Sequence, residues 1–281
     1  MVRSESAMSD KDGNFLKGIS ALRLVEEGVE PLVKEGSFQY TEEITNQARQ
    51  EAGLYGNDVC GHCTTHNVVP CKSGNGLCYY DKDGNCRFHD NSDPLKASKI
   101  CPKGICNRIF RIIKSRHRFH SPNFKNTDAR RWFQNPFEMM KCFIPTDGYQ
   151  DNETVEDTDC AGLLSVIINC KSFQSLVAED LGSPDNIFVK MREARNKMFH
   201  SAGFKITDRE IQEYIQIMLS IFNDAKFLAY DKDAQAAAEK IQEIADSSVH
   251  VYCGEEMQDP GLNPEFDDSE EKNSGRNIDW N

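Results

Sequence analysis

An arginine and a histidine, two side chains that can act on a phosphodiester, lie five residues apart near the end of one amphipathic segment, as Arg195 and His200. At about 100° per residue, Asn196 falls between them on a polar face. An arginine fork can bind a phosphate, and an imidazole can transfer a proton to or from a ribose oxygen. The pattern therefore fits RNA cleavage, with Arg195, Asn196 and His200 as catalytic candidates. The alternative is a helix whose arginine and histidine only contact solvent.

The motif requires a helix that begins shortly before it and ends just after it. Ser183 suits an N-cap, Pro184 suits the first helical position, and Gly203 can adopt the left-handed conformation that ends a helix. The opposite side of this helix carries an apolar stripe, formed by Ile187, Met191, Ala194 and Met198. We therefore expect the stripe to face a core and the motif to face outward.

A second group of reactive residues is a cysteine-rich stretch that holds seven of the 11 cysteines. Two pairs bracket it, Cys60 with Cys63 and Cys101 with Cys106, and tetrahedral sets of four thiolates select zinc. We predict one structural zinc on these four cysteines. A possible second, weaker site comprises Cys71, Cys78, Cys86 and His89. A competing pairing joins Cys60 and Cys63 to Cys86 and His89 and has acceptable spacing too.

A basic segment follows the cysteine-rich stretch. Residues 107–131 contain eight lysines and arginines against one acid, Asp128, with aromatic residues interleaved. This mixture is typical of surfaces that neutralise phosphates and stack unpaired bases. The predicted RNA-binding residues are Arg108, Arg111, Lys114, Arg116, Arg118, Arg130, Arg131 and Trp132, together with Arg192 of the motif helix. An ordinary solvated basic helix with its aromatic residues in the core fits the pattern as well.

The net charge and hydropathy of the chain indicate what kind of protein it is. The formal net charge is −12, but the acids concentrate in residues 253–281, which we predict to be a disordered tail able to bind protein partners. The mean hydropathy is −0.61, and no apolar run suits a signal peptide or a membrane span. We expect a cytoplasmic or nuclear protein without membrane contact, whose cysteines are reduced or metal-bound.

Helical periodicity dominates the chain outside the cysteine-rich stretch, so we predict an all-α fold. Residues 1–12 should be disordered, and residues 13–53 should form two helices separated at Gly36 and Ser37. Residues 54–106 form the zinc-binding insertion. Residues 107–252 complete the bundle, with the basic helix first, and residues 253–281 are the tail.

The chain resembles the HEPN superfamily of helical nucleotide-binding domains, and within it a group of animal proteins, over roughly residues 14 to 230. The resemblance is carried by Arg195-Asn196 through His200-Ser201, by the stretch from Cys160 to Cys170, and by the stretch from Trp132 to Pro145. Similar paired cysteines bracket the insertion in the resembling proteins.

The resemblance implies a HEPN-type bundle and a metal-independent endoribonuclease that acts as a homodimer, with the Arg-x4-His motifs of two chains brought together. The sequence places no acidic residue or tyrosine beside the motif of the kind found in the best-supported nucleases. A different class of function is a non-catalytic adaptor, regulatory or innate-immune, that uses the bundle to dimerise.

Overall fold

The central element is a single helix of 42 residues, α1 (Asp10–Glu51). The computed structural model describes residues 10–70 and 101–247. The predicted break at Gly36 and Ser37 was wrong. A Cβ atom at Gly36 would lie 2.5 Å from the ring of Phe173, so this glycine serves close packing rather than chain reversal. The Ser37 hydroxyl donates to the carbonyl of Val33 at 2.6 Å and so remains compatible with the helix.

Eight further helices follow α1 in the described ranges: α2 (Thr65–Val68), α3 (Ile105–Arg116), α4 (Pro136–Met140), α5 (Cys160–Asn169), α6 (Ile187–His200), α7 (Asp208–Phe222), α8 (Phe227–Tyr230) and α9 (Lys232–Asp246). Those ranges contain no strand, apart from one isolated antiparallel bridge between His117 and Cys170. The all-α prediction is confirmed. Among the described helices, none combines the length and apolar character needed to cross a bilayer.

The core forms where α1 contacts α3, α4, α5, α7 and α9. α5 lies within it, and nine of its ten residues are buried, in keeping with its almost wholly apolar sequence. From α1, Val25, Val29 and Leu32 contribute fully buried side chains. Complete burial of such a side chain stabilises the fold by roughly 1.5–3 kcal/mol. The core therefore fixes α5 and α6 relative to α1.

The motif helix α6 begins later than predicted. Its N-cap is Asn186, whose side-chain oxygen accepts from the backbone N–H of Val189 at 3.0 Å, and not Ser183. The Ser183 carbonyl instead accepts from the Asn186 side chain at 2.6 Å, in the turn before the helix. The helix ends at His200, as predicted, but its C-cap is Ser201 with extended backbone, and Gly203, with φ +67°, lies in the 3-10 turn that follows.

Candidate functional site

The motif arginine is held from two sides. One guanidinium nitrogen of Arg195 lies 3.3 Å from a carboxylate oxygen of Asp159, and the guanidinium carbon lies 4.5 Å from the centre of the Phe199 ring. The Arg195 side chain is 26% exposed, so part of it still faces solvent. An ion pair and a cation–π contact together limit the orientations of the guanidinium.

Asp159 links this arginine to the buried helix α5. It is the N-cap of α5, and its other oxygen accepts from the Gly162 N–H at 2.9 Å and from the Tyr149 hydroxyl at 2.7 Å. Partial burial, followed by the bond to Asp159, raises the pKa of Tyr149 to about 12 and keeps the phenol protonated near neutral pH. The fold thus supplies an acidic residue and a tyrosine near the motif, which the sequence analysis missed.

His200 lies in the last turn of α6 and is exposed. Its ring makes no hydrogen bond or ion pair with any described part of the chain. Five helical positions separate it from Arg195, which corresponds to a rise of about 7.5 Å and a rotation of about 140°. Asn196, in contrast, contacts Arg195, whose guanidinium donates to its side-chain oxygen at 3.4 Å. A single chain therefore brings Arg195 and Asn196 together and leaves His200 apart.

An apolar patch borders the motif. Phe15 of α1 contacts Phe199, with ring centroids 6.5 Å apart, and Phe204, with centroids 4.9 Å apart. Phe199 and Phe204 remain substantially exposed. Adjacent exposed apolar side chains of this size mark interaction surfaces more often than isolated ones do.

The second site is a buried cluster of the four predicted cysteines. The sulfur atoms of Cys60, Cys63, Cys101 and Cys106 all lie within 4.8 Å of one another, and all four residues are buried. Cys60 Sγ lies 3.7 Å from both Cys63 Sγ and Cys101 Sγ. A tetrahedral ion with bonds of about 2.3 Å places its ligands about 3.8 Å apart, so these positions can hold a metal ion.

Local structure shapes the cluster. Gly104, with φ +68°, donates from its backbone N–H to the Cys101 carbonyl at 2.7 Å and so turns the chain between the last two cysteines. The side chain of Lys103 pairs with Asp58 at 2.7 Å. These contacts join the segment after α1 to the start of α3.

The thiols of the cysteine cluster differ in their pKa values. Burial raises the pKa of Cys101, but N–H groups of Cys106 and Lys103 and the neighbouring thiols oppose this and lower it to about 7. Burial and the adjacent thiols raise the pKa of Cys63 to about 12, and burial raises the pKa of Cys106 further still. Four buried thiolates repel one another, so full ionisation of the cluster requires a cation at its centre. The remaining predicted ligands, Cys71, Cys78, Cys86 and His89, lie outside the described residues.

The basic segment divides into exposed and structural residues. Arg111 and Lys114 project from α3 as exposed side chains and form no ion pair within the described ranges. Arg118 donates to the Ile168 carbonyl at 2.8 Å, and Arg108 donates to the Gly104 carbonyl at 2.6 Å. Arg192 on α6 is half-buried. Only part of the predicted RNA-binding set is therefore available to phosphate.

Three of the other predicted cations are paired with acids: Arg116 with Glu43, Arg130 with Asp128, and Arg131 with Glu138 and Glu153.

The predicted role of Trp132 in stacking on RNA bases was wrong. Trp132 is completely buried, and its indole N–H donates to the Thr127 hydroxyl at 2.8 Å. Beside it, Lys141 forms a fully buried ion pair with Glu138 at 3.0 Å and donates to two backbone carbonyls. Trp132 thus belongs to the packing under the basic segment and is not accessible to a base.

Comparison with known families gives one result. Residues 62–272 match a domain of unknown function, DUF4559. The chain belongs to the DUF4559 family. No curated protein and no solved structure matches it significantly.

The DUF4559 match begins within the first cysteine pair, between Cys60 and Cys63, and extends through α9. It therefore includes the basic segment, Asp159 and the whole of α6, so both candidate sites belong at least in part to this domain. The whole of α1 (Asp10–Glu51) lies outside the matched range.

Proposed function

We propose that this DUF4559 protein binds RNA and cleaves it without a catalytic metal, using Arg195 and His200 with Asn196 beside them. The observation that carries the proposal is the Arg195 guanidinium, held between Asp159 and Phe199 on the outer face of α6. A pre-oriented guanidinium loses less entropy on binding a phosphate than a free one. The resemblance of the Arg-x4-His motif to that of HEPN ribonucleases supports the same assignment.

The proposed reaction is a transesterification within RNA. Arg195 binds the non-bridging phosphate oxygens, and an imidazole accepts the proton of the 2′-hydroxyl as that oxygen attacks phosphorus. The bond from phosphorus to the 5′-oxygen breaks, and this oxygen accepts a proton from an imidazolium. The products are a 2′,3′-cyclic phosphate and a 5′-hydroxyl.

A homodimer would complete this site. In the proposed reaction one imidazole acts as the base and a second acts as the acid at the same phosphate. Each chain supplies only one His200, so the second imidazole would come from a second chain. The apolar patch of Phe15, Phe199 and Phe204 borders the motif and offers a surface for a two-fold interface. In such a dimer each phosphate would contact residues from both chains.

The ion in the cysteine cluster is proposed to be zinc. Four thiolates form a soft tetrahedral donor set, which zinc favours, and the sulfur separations of 3.7 Å suit its bond lengths. All four ligand positions would be filled by protein, so the ion would have a structural role. Its role would be to hold the start of α3, and with it Arg111 and Lys114, against the end of α1.

The test is an analysis of product ends. Purified protein should convert RNA to fragments with cyclic phosphate and 5′-hydroxyl ends, and His200→Ala protein should not. Fragments with 3′-hydroxyl and 5′-phosphate ends would contradict the reaction. A dimer that binds RNA but yields no fragments above the His200→Ala background would favour the adaptor function instead.

A further inference from the structure

The basic segment, residues 107–131, exposes one of its three phenylalanine rings to solvent. Phe119 lies in the loop after α3 and is 65% exposed. The other two, Phe110 and Phe124, contact each other with ring centroids 5.0 Å apart and pack in or against the core. A single exposed phenylalanine is common in proteins, but this one is held firmly in a segment rich in cations.

Hydrogen bonds fix the loop on both sides of the Phe119 ring. The backbone N–H of Arg118 donates to the Asn169 carbonyl at 2.7 Å, and the N–H of Phe119 itself donates to His117 Nδ1 at 3.2 Å. His120 has φ +53°, an uncommon value for a residue with a Cβ atom, and its N–H donates to the His117 carbonyl at 3.0 Å. A side chain presented by an ordered loop loses less entropy when it binds a ligand.

Two cations without acidic partners lie at the end of the helix that leads into this loop. The Nδ1–H of His120 donates to the Lys114 carbonyl at 3.2 Å, which folds the loop back onto the last turn of α3. Lys114 and, one turn earlier, Arg111 are exposed. Proteins that bind single-stranded nucleic acid combine cations for the phosphates with aromatic rings for the bases. The end of α3 and its loop supply both.

We propose that Phe119 stacks on an unpaired base of single-stranded RNA whose phosphates contact Arg111 and Lys114. The proposal rests on the RNA binding proposed above and adds a base-contacting residue to it. Stacking needs an accessible base face, which a duplex hides, so this surface selects single strands over duplexes. Because every base has such a face, the contact recognises strandedness and not sequence.

The test measures binding to the full chain by fluorescence anisotropy, in a His200→Ala background that keeps the RNA intact. The probes are a labelled, unstructured oligoribonucleotide and the same strand paired with its complement, each titrated at several salt concentrations. Phe119→Ala removes the ring, Phe119→Leu keeps an apolar side chain without a flat face, and Phe119→Tyr keeps the ring. Phe38→Ala is the matched control, because it removes a similarly exposed phenylalanine, 60% exposed, from α1.

We expect Phe119→Ala and Phe119→Leu to weaken binding of the single strand about fivefold or more, and Phe119→Tyr and Phe38→Ala to bind as wild type does. The slope of log affinity against log salt should not change in Phe119→Ala, since stacking releases no counterions. Affinity for the duplex should not change either.

Wild-type affinity for the single strand in folded Phe119→Ala or Phe119→Leu would overturn the stacking contact, and so would an equal loss of affinity for single strand and duplex. In each of these results the protein still binds RNA, so the proposed function stands. Failure of the unsubstituted Phe119 protein to bind either RNA would overturn the proposed RNA binding and the stacking contact together.

Discussion

The carboxylate of Asp159 pairs with Arg195 at 3.3 Å while it caps helix α5. One residue thus joins the exposed motif helix to a buried helix of the core. Its second oxygen binds the Tyr149 hydroxyl, so Asp159 is itself fixed on two sides. The orientation of the motif arginine therefore depends on the packing of the bundle and not on α6 alone.

Replacing Asp159 with Asn should separate these roles. Asparagine can still cap α5, but it loses the charge that pairs with Arg195. Because measured exposed ion pairs typically contribute about 0.2–1 kcal/mol, RNA cleavage at saturating RNA should fall only about 1.4–5-fold. Single-turnover rates measure this, with Asp185→Asn at an exposed position before α6 as control. A wild-type rate in Asp159→Asn would mean that Asp159 does not orient Arg195.

The exposed residues of α3 should carry phosphate contacts. Replacing Arg111 and Lys114 with Ala should weaken binding of single-stranded RNA and reduce the slope of log affinity against log salt by about 1.4, since each contact contributes about 0.7. Arg118 is left unchanged because its bond to the Ile168 carbonyl is structural.

The control for that pair is Arg130→Ala, which removes a cation already paired with Asp128 and should change the slope less. Equal slopes for wild type and the Arg111/Lys114 double variant would identify this part of α3 as an ordinary solvated surface.

Buried His117 should make stability depend on pH. Burial, with smaller effects from His120 and Lys171, lowers its pKa to about 4. An unfolded histidine titrates near 6.5, so the unfolded chain binds more protons between those values. The free energy of unfolding should therefore fall as the pH falls from about 6.5 to 4, by about 3 kcal/mol from this group.

Urea unfolding of His117→Gln across this pH range should show a shallower dependence than wild type. His120→Gln, at an exposed position, removes only one of the smaller effects on His117 and should retain most of the wild-type dependence. Parallel curves for His117→Gln and wild type would contradict the assignment.

The zinc content of the purified protein tests the proposed metal site. Protein purified in reductant should contain at least one zinc per chain, and Cys63→Ser with Cys106→Ser should remove it, because two of the four thiolate ligands are lost. Cys142→Ser changes a buried thiol outside the cluster and should retain the metal. Elemental analysis measures both variants, and wild-type protein without zinc would refute the proposal.

Much of the fold follows from periodicity and capping alone. The sequence predicted the all-α class, and the apolar run of α5 and the capping box of Thr207 and Glu210 at the start of α7 are local signals of the same kind. The four clustered cysteines were predicted because their two pairs bracket the insertion, and the fold brings them together. Helix periodicity and helix caps depend on residues close in sequence, and thiolate binding of a metal depends on cysteine, a residue type that few others can replace.

The errors came from long-range packing. Nothing local shows that Gly36 accommodates Phe173, so a helix break was the simpler interpretation of that glycine. Trp132 has basic neighbours in sequence but is buried in three dimensions. Asp159 and Tyr149 approach the motif only through the packing of α5 against α6, although the position of Asp159 before an apolar run does indicate an N-cap.

The most direct test of the account is the RNA cleavage rate of wild type, Arg195→Ala and His200→Ala, measured in EDTA at a concentration that leaves the structural ion bound. Lys190→Ala, at an exposed position of the same helix, is the control, and circular dichroism checks folding. We predict that wild type and Lys190→Ala cleave RNA equally, and that each motif variant is slower by roughly 10² or more, through loss of a charge clamp or a general acid–base group. Equal rates in wild type and in both folded motif variants would contradict the account.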